Sequence, residues 1–288
     1  MQIRVLGAAR EVGGSCIAVE TERCKVALDY GIKLDDVTDE YPKNFDAVII
    51  SHAHLDHSGS LLRLTKSRNK QVIIGSKITR DITVDLLKDM IKIQNEKTNT
   101  VVFDEQAANH VKDSWLSTEF FSLPCMNVTF HSAGHVAGAK MVNIHAEEKT
   151  VLYTGDFCIH DTEILYGCNV DALPIKPDVL ISESTYGGKV RRPRSELTDQ
   201  FFKKVSGTMK RWGNILIPTF AFHRSQEMVF ENRLLCIPVS SDMAKDEGGM
   251  FQRETNGFGG DCRETAVTSL SMRSITSKTN VRDQVVVR

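Results

Sequence analysis

An apolar run that ends in a cluster of histidine and aspartate constrains the fold of this chain more than any other feature. The run FDAVII covers residues 45–50, and SHAHLDHSGS follows directly at residues 51–60. An apolar run without alternation is typical of a strand that is buried on both faces. The polar side chains therefore gather at the end of a central strand, where they can form a site.

The cluster contains the donor atoms of a metal site. Neutral imidazole and carboxylate are the usual ligands of zinc and similar ions. Residues i and i+2 of an extended segment point the same way, so His52 and His54 can bind one ion from the strand end. Asp56 and His57 lie where the chain turns into a helix, and we expect them to reach a second ion nearby. A solvated histidine-rich loop is the alternative interpretation, and the later segments argue against it.

Two later segments offer further ligands. His135 lies among small residues, which let the backbone crowd a site, and Asp156 follows a strand, where one carboxylate can bridge two ions. His131 is a weaker candidate, because a single histidine at a strand end is more often structural. Asp29 ends another predicted strand, and it either orients a metal-bound histidine from outside the ligand set or caps a turn.

Short strands mixed with helices predict an α/β sandwich. The apolar spacing predicts helices over 79–96, 104–114 and 195–212, and a further helix over 58–67 that Ser58 caps. We expect one domain over 1–195 and the start of a second over 196–238. Residues 239–288 form an unassigned polar tail without a helical or strand period.

The amino-acid composition argues against a few classes of protein. The net charge of −1 gives no general signal for nucleic acid, so such binding would need a local patch. The seven cysteines are odd in number and include no CxxC pair, which argues against a disulfide framework and for a reducing compartment. The N-terminal residues do not resemble a signal peptide and no apolar run is long enough to cross a membrane, so we expect a cytoplasmic protein.

Several motifs carry a resemblance to a known family. LDYG, SHAHLDHSG, AGHVAGA and YTGDF resemble, in order and spacing, the successive motifs of the metallo-β-lactamase fold. SESTYGG resembles the first signature of the β-CASP branch, and ILIPTFAFHRSQE resembles the strand and helix that follow it there. The opening residues are most similar to RNA-processing members of the cleavage-and-polyadenylation and RNase J type, including archaeal ones.

The resemblance implies a metallo-β-lactamase αββα sandwich with the beginning of a β-CASP insertion. It implies a zinc-dependent ribonuclease that hydrolyses phosphodiester bonds of single-stranded RNA with two Zn²⁺ ions, and a homodimer or the subunits of a processing complex as protein partners. The implied ligands are His52, His54, His135 and Asp156 for one zinc ion, with Asp56, His57 and the bridging Asp156 for the other. Asp56 and Glu183 are the implied catalytic residues.

The family also has two later histidines, one at the second metal and one that pairs with Glu183 near the scissile phosphate. His223 is the last histidine of this sequence, so the second site lacks one ligand here. Three interpretations stay open: a fragment or the product of a disrupted reading frame, a short natural member with one complete metal site, or a chain that a partner completes. The rival functions are a non-catalytic RNA-binding scaffold subunit and a thioester or lactone hydrolase of the same fold.

A basic run follows the β-CASP signature. Lys189, Arg191, Arg192 and Arg194 lie within six residues of one another. Such a run suits contact with a phosphate backbone. An ordinary solvated loop is the alternative interpretation.

Overall fold

The computed structural model describes residues 1–33, 41–66, 71–98, 101–174, 176–213, 215–228 and 284–287. They fall into two compact units, one from Met1 to Gly187 and one that begins at Gly188. Apart from its last strand, the predicted tail at 239–288 lies outside the described residues. The predicted domain boundaries at 195 and 238 stay predictions.

Six strands form the first sheet of the first unit, in the order of the sequence. They are β1 (Gln2–Gly7), β2 (Cys16–Glu20), β3 (Lys25–Leu28), β4 (Ala47–Ile49), β5 (Val72–Gly75) and β6 (Trp115–Ser117). The first two pairings are antiparallel and the last three are parallel. The carboxyl ends of β3, β4 and β5 therefore lie at one edge of the sheet.

Five strands form the second sheet in the order β11-β10-β9-β8-β7. They are β7 (Phe120–Leu123), β8 (Met126–Ser132), β9 (Lys140–Ala146), β10 (Lys149–Tyr153) and β11 (Val179–Ile181). The pairings are antiparallel except for the last, β10 with β11, which is parallel. The predicted α/β class is confirmed, with two mixed sheets and helices.

Helices cover the face of the first sheet that the second sheet leaves open. They are α1 (Leu55–Ser58), a 3-10 helix (Gly59–Lys66), α2 (Lys77–Thr98) and α3 (Glu105–Asp113). Asp104 caps α3 as predicted, because its carboxylate accepts from the Ala107 amide at 3.0 Å. No helix among the described ranges has both the length and the apolarity to cross a membrane.

Strand β4 shows why its sequence has no alternation. Ala47 and Ile49 pack into the core between the two sheets, while Val48 and Ile50 pack into the core under the helices. All four side chains are fully buried, because the strand lies between two apolar layers. This burial holds the segment that follows, which carries the ligands, in a fixed position.

The chain departs from the predicted helix directly after this strand. The helix begins at Leu55 rather than at Ser58, and it continues as a 3-10 helix. Ser58 does not cap it, since its hydroxyl donates to the carbonyls of Ala53 and His54. Asp56 and His57 therefore lie on the first helical turn and not in the loop before it.

A disulfide joins the two sheets. It links Cys24, in the turn between β2 and β3, to Cys125, in the turn between β7 and β8. The cysteine count argues against a disulfide framework, but this pairing depends on which turns face each other. The sequence gives no sign of that contact, because the two cysteines are 101 positions apart.

The second unit begins with helix α4 (Arg194–Met209) and strand β12 (Ile215–Pro218), close to the predicted helix and strand. Strand β13 (Gln284–Val287) pairs with β12 in antiparallel fashion. A helical turn covers 224–228, where the sequence predicts a helix start.

Candidate metal centre

Four predicted ligands converge at the carboxyl ends of the strands. His52, His54, His135 and Asp156 each present one ligand atom, and these atoms all lie within 4.8 Å of one another. His54 Nδ1 lies 3.1 Å from His52 Nε2 and 3.3 Å from His135 Nε2. Asp156 Oδ2 lies 3.6 Å from His135 Nε2 and 4.0 Å from His52 Nε2. Three imidazoles and one carboxylate thus form a group that could hold a metal ion.

Asp156 also faces a second corner of the site. Its other oxygen, Oδ1, lies 3.5 Å from His57 Nε2. Asp56 Oδ2 lies 3.7 Å from the same nitrogen. The two oxygens of Asp156 therefore point at two different sets of donors, as a bridging carboxylate requires.

The buried carboxylate of Asp29 orients the His57 ring through Nδ1, the nitrogen that does not face Asp156. Asp29 is fully buried, and its Oδ2 accepts from His57 Nδ1 at 2.7 Å and from the Tyr153 hydroxyl at 2.7 Å. Ser51 adds its amide, which donates to Oδ1 at 2.7 Å, and its hydroxyl, which donates to Oδ2 at 2.8 Å. Because His57 Nδ1–H donates to Asp29, the lone pair of the neutral His57 ring lies on Nε2, which faces Asp156.

The same serine fixes the tautomer of His52. Ser51 Oγ has one proton, and it donates that proton to Asp29, which can only accept. The contact of 3.1 Å between Ser51 Oγ and His52 Nδ1 must then be a donation from the imidazole. The lone pair of His52 consequently lies on Nε2, the atom that faces His54 and Asp156.

Burial and neighbouring charges shift the pKa values of His52 and His57 in opposite directions. Burial lowers the pKa of His52 well below its ordinary value, and the adjacent His57 lowers it further, so the ring is neutral. Burial also acts to lower the pKa of His57, but the charge and hydrogen bond of Asp29 outweigh it and raise the pKa to about 9. A neutral imidazole is the form that binds a metal, so His52 is ready to bind, whereas an ion at His57 would have to replace the proton on Nε2.

Burial and acidic neighbours both raise the pKa of Asp156. Burial raises its pKa, His57 opposes this, and the carboxylates of Asp56 and Glu183 add to the rise, which reaches about 6. Glu183 follows β11 and is half-buried, and its Oε2 accepts from the Thr185 amide at 3.1 Å. Glu183 is thus near enough to Asp156 to affect its charge, while lying outside the metal-ligand group.

Two backbone contacts fix the position of Asp56. Its carbonyl accepts from the Ser15 amide at 2.8 Å, and Gly31 lies directly against the same carbonyl. A Cβ at residue 31 would lie 1.7 Å from Asp56 O, which no side chain can tolerate. Gly31 therefore lets the end of β3 approach the ligand loop.

Not every predicted residue reaches the site. His131 lies outside the ligand group, near Lys140 and Glu119, and its Nε2 is a buried atom without a hydrogen-bond partner among the described residues. Ser51 and Tyr153 were not singled out by the sequence, although both flank metal motifs. The sequence gives little reason to select them, because hydroxyl side chains beside a ligand motif are common. Only the fold shows that both contact Asp29.

The family model of the metallo-beta-lactamase superfamily matches residues 11–175, which include all six predicted ligands. This match covers more than half of the chain. The chain belongs to the metallo-beta-lactamase superfamily.

Curated relatives narrow the position of the chain within this superfamily. The chain is 34% identical to "Probable RNase MJ4" of Methanocaldococcus jannaschii over 80% of this chain and 56% of that protein. It is 28% identical to "RNase aCSPSF2" of Saccharolobus solfataricus over 83% of this chain and 50% of that protein. It is 36% identical to "Cleavage and polyadenylation specificity factor 73" of Drosophila melanogaster over 80% of this chain and 35% of that protein.

The predicted resemblance to the RNA-processing, β-CASP branch is confirmed by these relatives, two of which are named as RNases and one as a cleavage and polyadenylation factor. The chain spans about half the length of the first two relatives and about a third of the third.

Proposed function

We propose that the chain carries the catalytic centre of a zinc-dependent β-CASP ribonuclease, which hydrolyses phosphodiester bonds of single-stranded RNA. The observation that carries this proposal is the arrangement around Asp156, whose two oxygens face two separate sets of donors. Relatives that are named ribonucleases support the same activity.

The distances among the donors fit zinc. Zinc prefers four ligands in a tetrahedron with bonds of about 2.0–2.1 Å, so ligand atoms lie about 3.4 Å apart. The contacts around His54 and His135 measure 3.1, 3.3 and 3.6 Å, His52 Nε2 lies 4.0 Å from Asp156 Oδ2, and all four ligand atoms lie within 4.8 Å of one another. Nitrogen-rich donor sets also favour zinc over magnesium or calcium, which prefer oxygen.

The ligand roles follow from this geometry. His52, His54, His135 and Asp156 Oδ2 would hold one ion, and His57, Asp56 and Asp156 Oδ1 would hold the other. When bound, the two ions would activate a water molecule and offset charge on the phosphate oxygens. Asp29 keeps His57 in the required tautomer throughout, because its carboxylate binds the Nδ1 proton.

Asp56 and Glu183 are the residues we assign to proton handling and phosphate positioning. The side chain of Asp56 is 35% exposed, so its carboxylate can reach a substrate water and accept its proton. Glu183 is half-buried and near enough to Asp156 to raise its pKa, so its carboxylate can orient a donor near the scissile phosphate.

Metal content and RNA cleavage test the proposal together. The wild-type chain should contain two zinc ions by elemental analysis and should cleave an end-labelled single-stranded RNA. His54→Ala/Asp56→Ala should lower both the zinc content and cleavage. The matched control is His145→Ala/Asp113→Ala, which removes the same side-chain types from exposed positions and should change neither.

Other outcomes identify the rival functions. Bound zinc and bound RNA without any cleavage would contradict the enzyme and leave a scaffold subunit. Hydrolysis of small thioesters or lactones, with intact RNA, would assign the centre to a different hydrolase of the superfamily.

A further inference from the structure

Two free cysteines lie at the closed end of one loop of the first unit. The loop covers residues 158–168, with Cys158 at its start and Cys168 at its end. The Cys168 amide donates to the Cys158 carbonyl at 2.7 Å, and we name this pair of residues the loop neck. Residues that are hydrogen-bonded in this way across two strands have Cα atoms about 5.5 Å apart, which lies within the range that disulfides span.

The loop neck also contacts the turns that carry two of the predicted metal ligands. Cys158 follows Asp156 by two residues, and its amide donates to the Ala133 carbonyl at 2.9 Å. Gly134, which precedes His135, packs against the neck so closely that a Cβ there would lie 2.4 Å from Cys158 O and 2.4 Å from Cys168 N. The neck therefore joins the turn before His135 to the turn after Asp156.

The two thiols differ in exposure. Cys158 is half-buried, and its Sγ donates to the His160 carbonyl at 3.4 Å. Cys168 is only 5% exposed. Burial raises the pKa of the Cys168 thiol, and the Cys158 thiol raises it further, so the two thiols are close enough to interact. A solute therefore meets Cys158 first, with Cys168 beside it.

The remainder of the loop keeps the neck closed. Gly167 packs against the other side of the loop, where a Cβ would lie 2.5 Å from the carbonyl carbon of Ile159. The Gly167 amide donates to Asp161 Oδ1 at 2.8 Å, and at the tip the Thr162 amide donates to the Leu165 carbonyl at 2.8 Å. The backbone thus already holds the two cysteines side by side, as a disulfide requires.

The other cysteines of the described residues do not offer such a pair. Cys24 and Cys125 are already joined to each other, and Cys16 is fully buried in the core under the helices. We propose that Cys158 and Cys168 form a reversible redox pair, which joins into a disulfide in the presence of a small disulfide such as oxidised glutathione and locks the loop neck. This proposal goes beyond the proposed ribonuclease function and needs neither zinc nor RNA.

The reaction consists of two thiol–disulfide exchanges. Cys158 loses its proton and attacks one sulfur of oxidised glutathione, so one glutathione leaves, takes a proton and becomes the free thiol. Cys168 then loses its proton and attacks the sulfur of Cys158, and the second glutathione leaves in the same way. The two cysteines are oxidised to one disulfide, and one oxidised glutathione is reduced to two thiols.

Peptide mapping in glutathione buffers tests the pair. The full chain is equilibrated at several ratios of reduced to oxidised glutathione, and the remaining free thiols are then blocked by alkylation. A protease that cleaves after acidic residues cuts between the two cysteines at Asp161 and Glu163, so a disulfide joins two peptides that otherwise separate. We expect the joined peptides to appear in oxidising buffer and to disappear when reduced glutathione is added.

Single variants separate the roles of the two thiols. Cys168→Ser should accumulate glutathione on Cys158, because the thiol that would displace it is missing. Cys158→Ser should carry no glutathione on Cys168, because that thiol is buried. Cys16→Ala is the matched control, since it removes a buried free cysteine and should form the cross-link as the wild type does. Circular dichroism should show that all three variants remain folded.

Amide hydrogen exchange measures the lock. The amides of Cys158 and Cys168 both donate to backbone carbonyls, so their exchange reports how often the neck opens. In the wild type, oxidising buffer should slow this exchange by up to about 100-fold, the limit that chain entropy sets for a closed loop of this size. Cys158→Ser should exchange at the same rate in oxidising and reducing buffer.

Several outcomes would overturn the proposal. They are the absence of the joined peptides at every glutathione ratio, the pairing of Cys158 with a different cysteine, and equal exchange rates of the wild type in the two buffers. Equal glutathione adducts in the two single variants would also overturn it, because the two thiols would then react independently. None of these measurements needs bound zinc or RNA cleavage, so a chain that forms the pair without either would contradict only the proposed function.

Discussion

Asp29 and Glu227 are both buried carboxylates, but they hold different kinds of donor. Asp29 accepts from an amide, two hydroxyl groups and one imidazole, all within the interior of the first unit. Glu227 accepts from two guanidinium groups whose side chains are almost half exposed. The first carboxylate turns its partners towards an interior site, and the second holds its partners at a surface.

The difference shows that a buried acid does not decide which ligand a site attracts. Asp29 accepts a hydrogen bond from His57 Nδ1, so the neutral imidazole presents the lone pair of Nε2, which suits a cation. Glu227 leaves its partners fully charged, because a guanidinium group only donates and does not give up its proton. The partner side chain therefore decides the sign of the ligand, and the carboxylate only fixes its position.

Asp29→Asn tests the metal side of this comparison and should have the largest effect. Asparagine tolerates the left-handed backbone of residue 29, where φ is 60°, so the change is mainly one of charge. We expect the free energy of unfolding to fall by about 3–5 kcal/mol, because a buried charged network loses its centre. Zinc content should fall from two ions to about one, as His57 loses its orienting partner.

Urea unfolding and elemental analysis measure these two effects of Asp29→Asn. The control is Asp46→Asn, since Asp46 is an exposed carboxylate that accepts from one backbone amide at 2.7 Å. Equal zinc content in Asp29→Asn and the wild type would show that the carboxylate does not position a ligand.

Glu227→Gln tests the anionic side of the comparison. The free energy of unfolding should fall by about 2 kcal/mol, less than for Asp29, because solvent already screens the two arginines. Denaturant unfolding measures this change, and a loss as large as that of Asp29→Asn would contradict the separate roles of the two carboxylates.

The pH dependence of stability gives a second measure for Glu227. Its pKa in the folded chain lies below the ordinary value. Its carboxylate therefore adds stability above about pH 4.3, and this contribution is lost as the pH falls through the lower folded pKa. Glu227→Gln lacks this dependence, so its stability should fall less steeply in acid than that of the wild type.

Tyr153→Phe removes one donor from Asp29 and leaves the other three. We expect the free energy of unfolding to fall by about 1.5 kcal/mol, since the lost hydrogen bond ends on a charged group. Tyr41→Phe is the comparison variant, because the Tyr41 hydroxyl donates to the neutral carbonyl of Gly14 at 2.6 Å. A larger loss in Tyr41→Phe would show that the charge of Asp29 does not strengthen its hydrogen bonds.

Glu20→Gln should have the smallest effect. Glu20 pairs with Arg4 and Lys25 just as Glu227 pairs with its arginines, but it lies at the surface. Surface ion pairs contribute less than about 1 kcal/mol, so thermal unfolding should hardly change. A loss of stability equal to that of Glu227→Gln would show that burial does not determine how much these carboxylates stabilise the fold.

The local part of the candidate metal centre is the part that the sequence predicts most directly. His52, His54, Asp56 and His57 come from one short segment, and the apolar run before them shows that they lie at a strand end. His135 and Asp156 follow other strands with clear apolar patterns, so their meeting point at the sheet edge is also foreseeable. The structure brings all of these side chains together.

The sequence does not predict contacts that depend on tertiary packing. Strand β6 has three residues, too few for a period of two, and β7 is also short, so neither shows a strand pattern. The contacts of Tyr153 with Asp29 and of Arg194 with Glu227 join residues 124 and 33 positions apart. No rule of residue spacing relates positions so far apart in the sequence. Only the fold shows which polar groups meet.

The close approach of Gly31 to Asp56 has a consequence for protein engineering. A designer who copied only the histidine–aspartate segment onto another parallel strand would place a side chain of the neighbouring strand against the Asp56 carbonyl. The segment can be transplanted only as a pair with a glycine two positions after the residue that corresponds to Asp29. The smallest portable unit of this segment is therefore two adjacent strand ends.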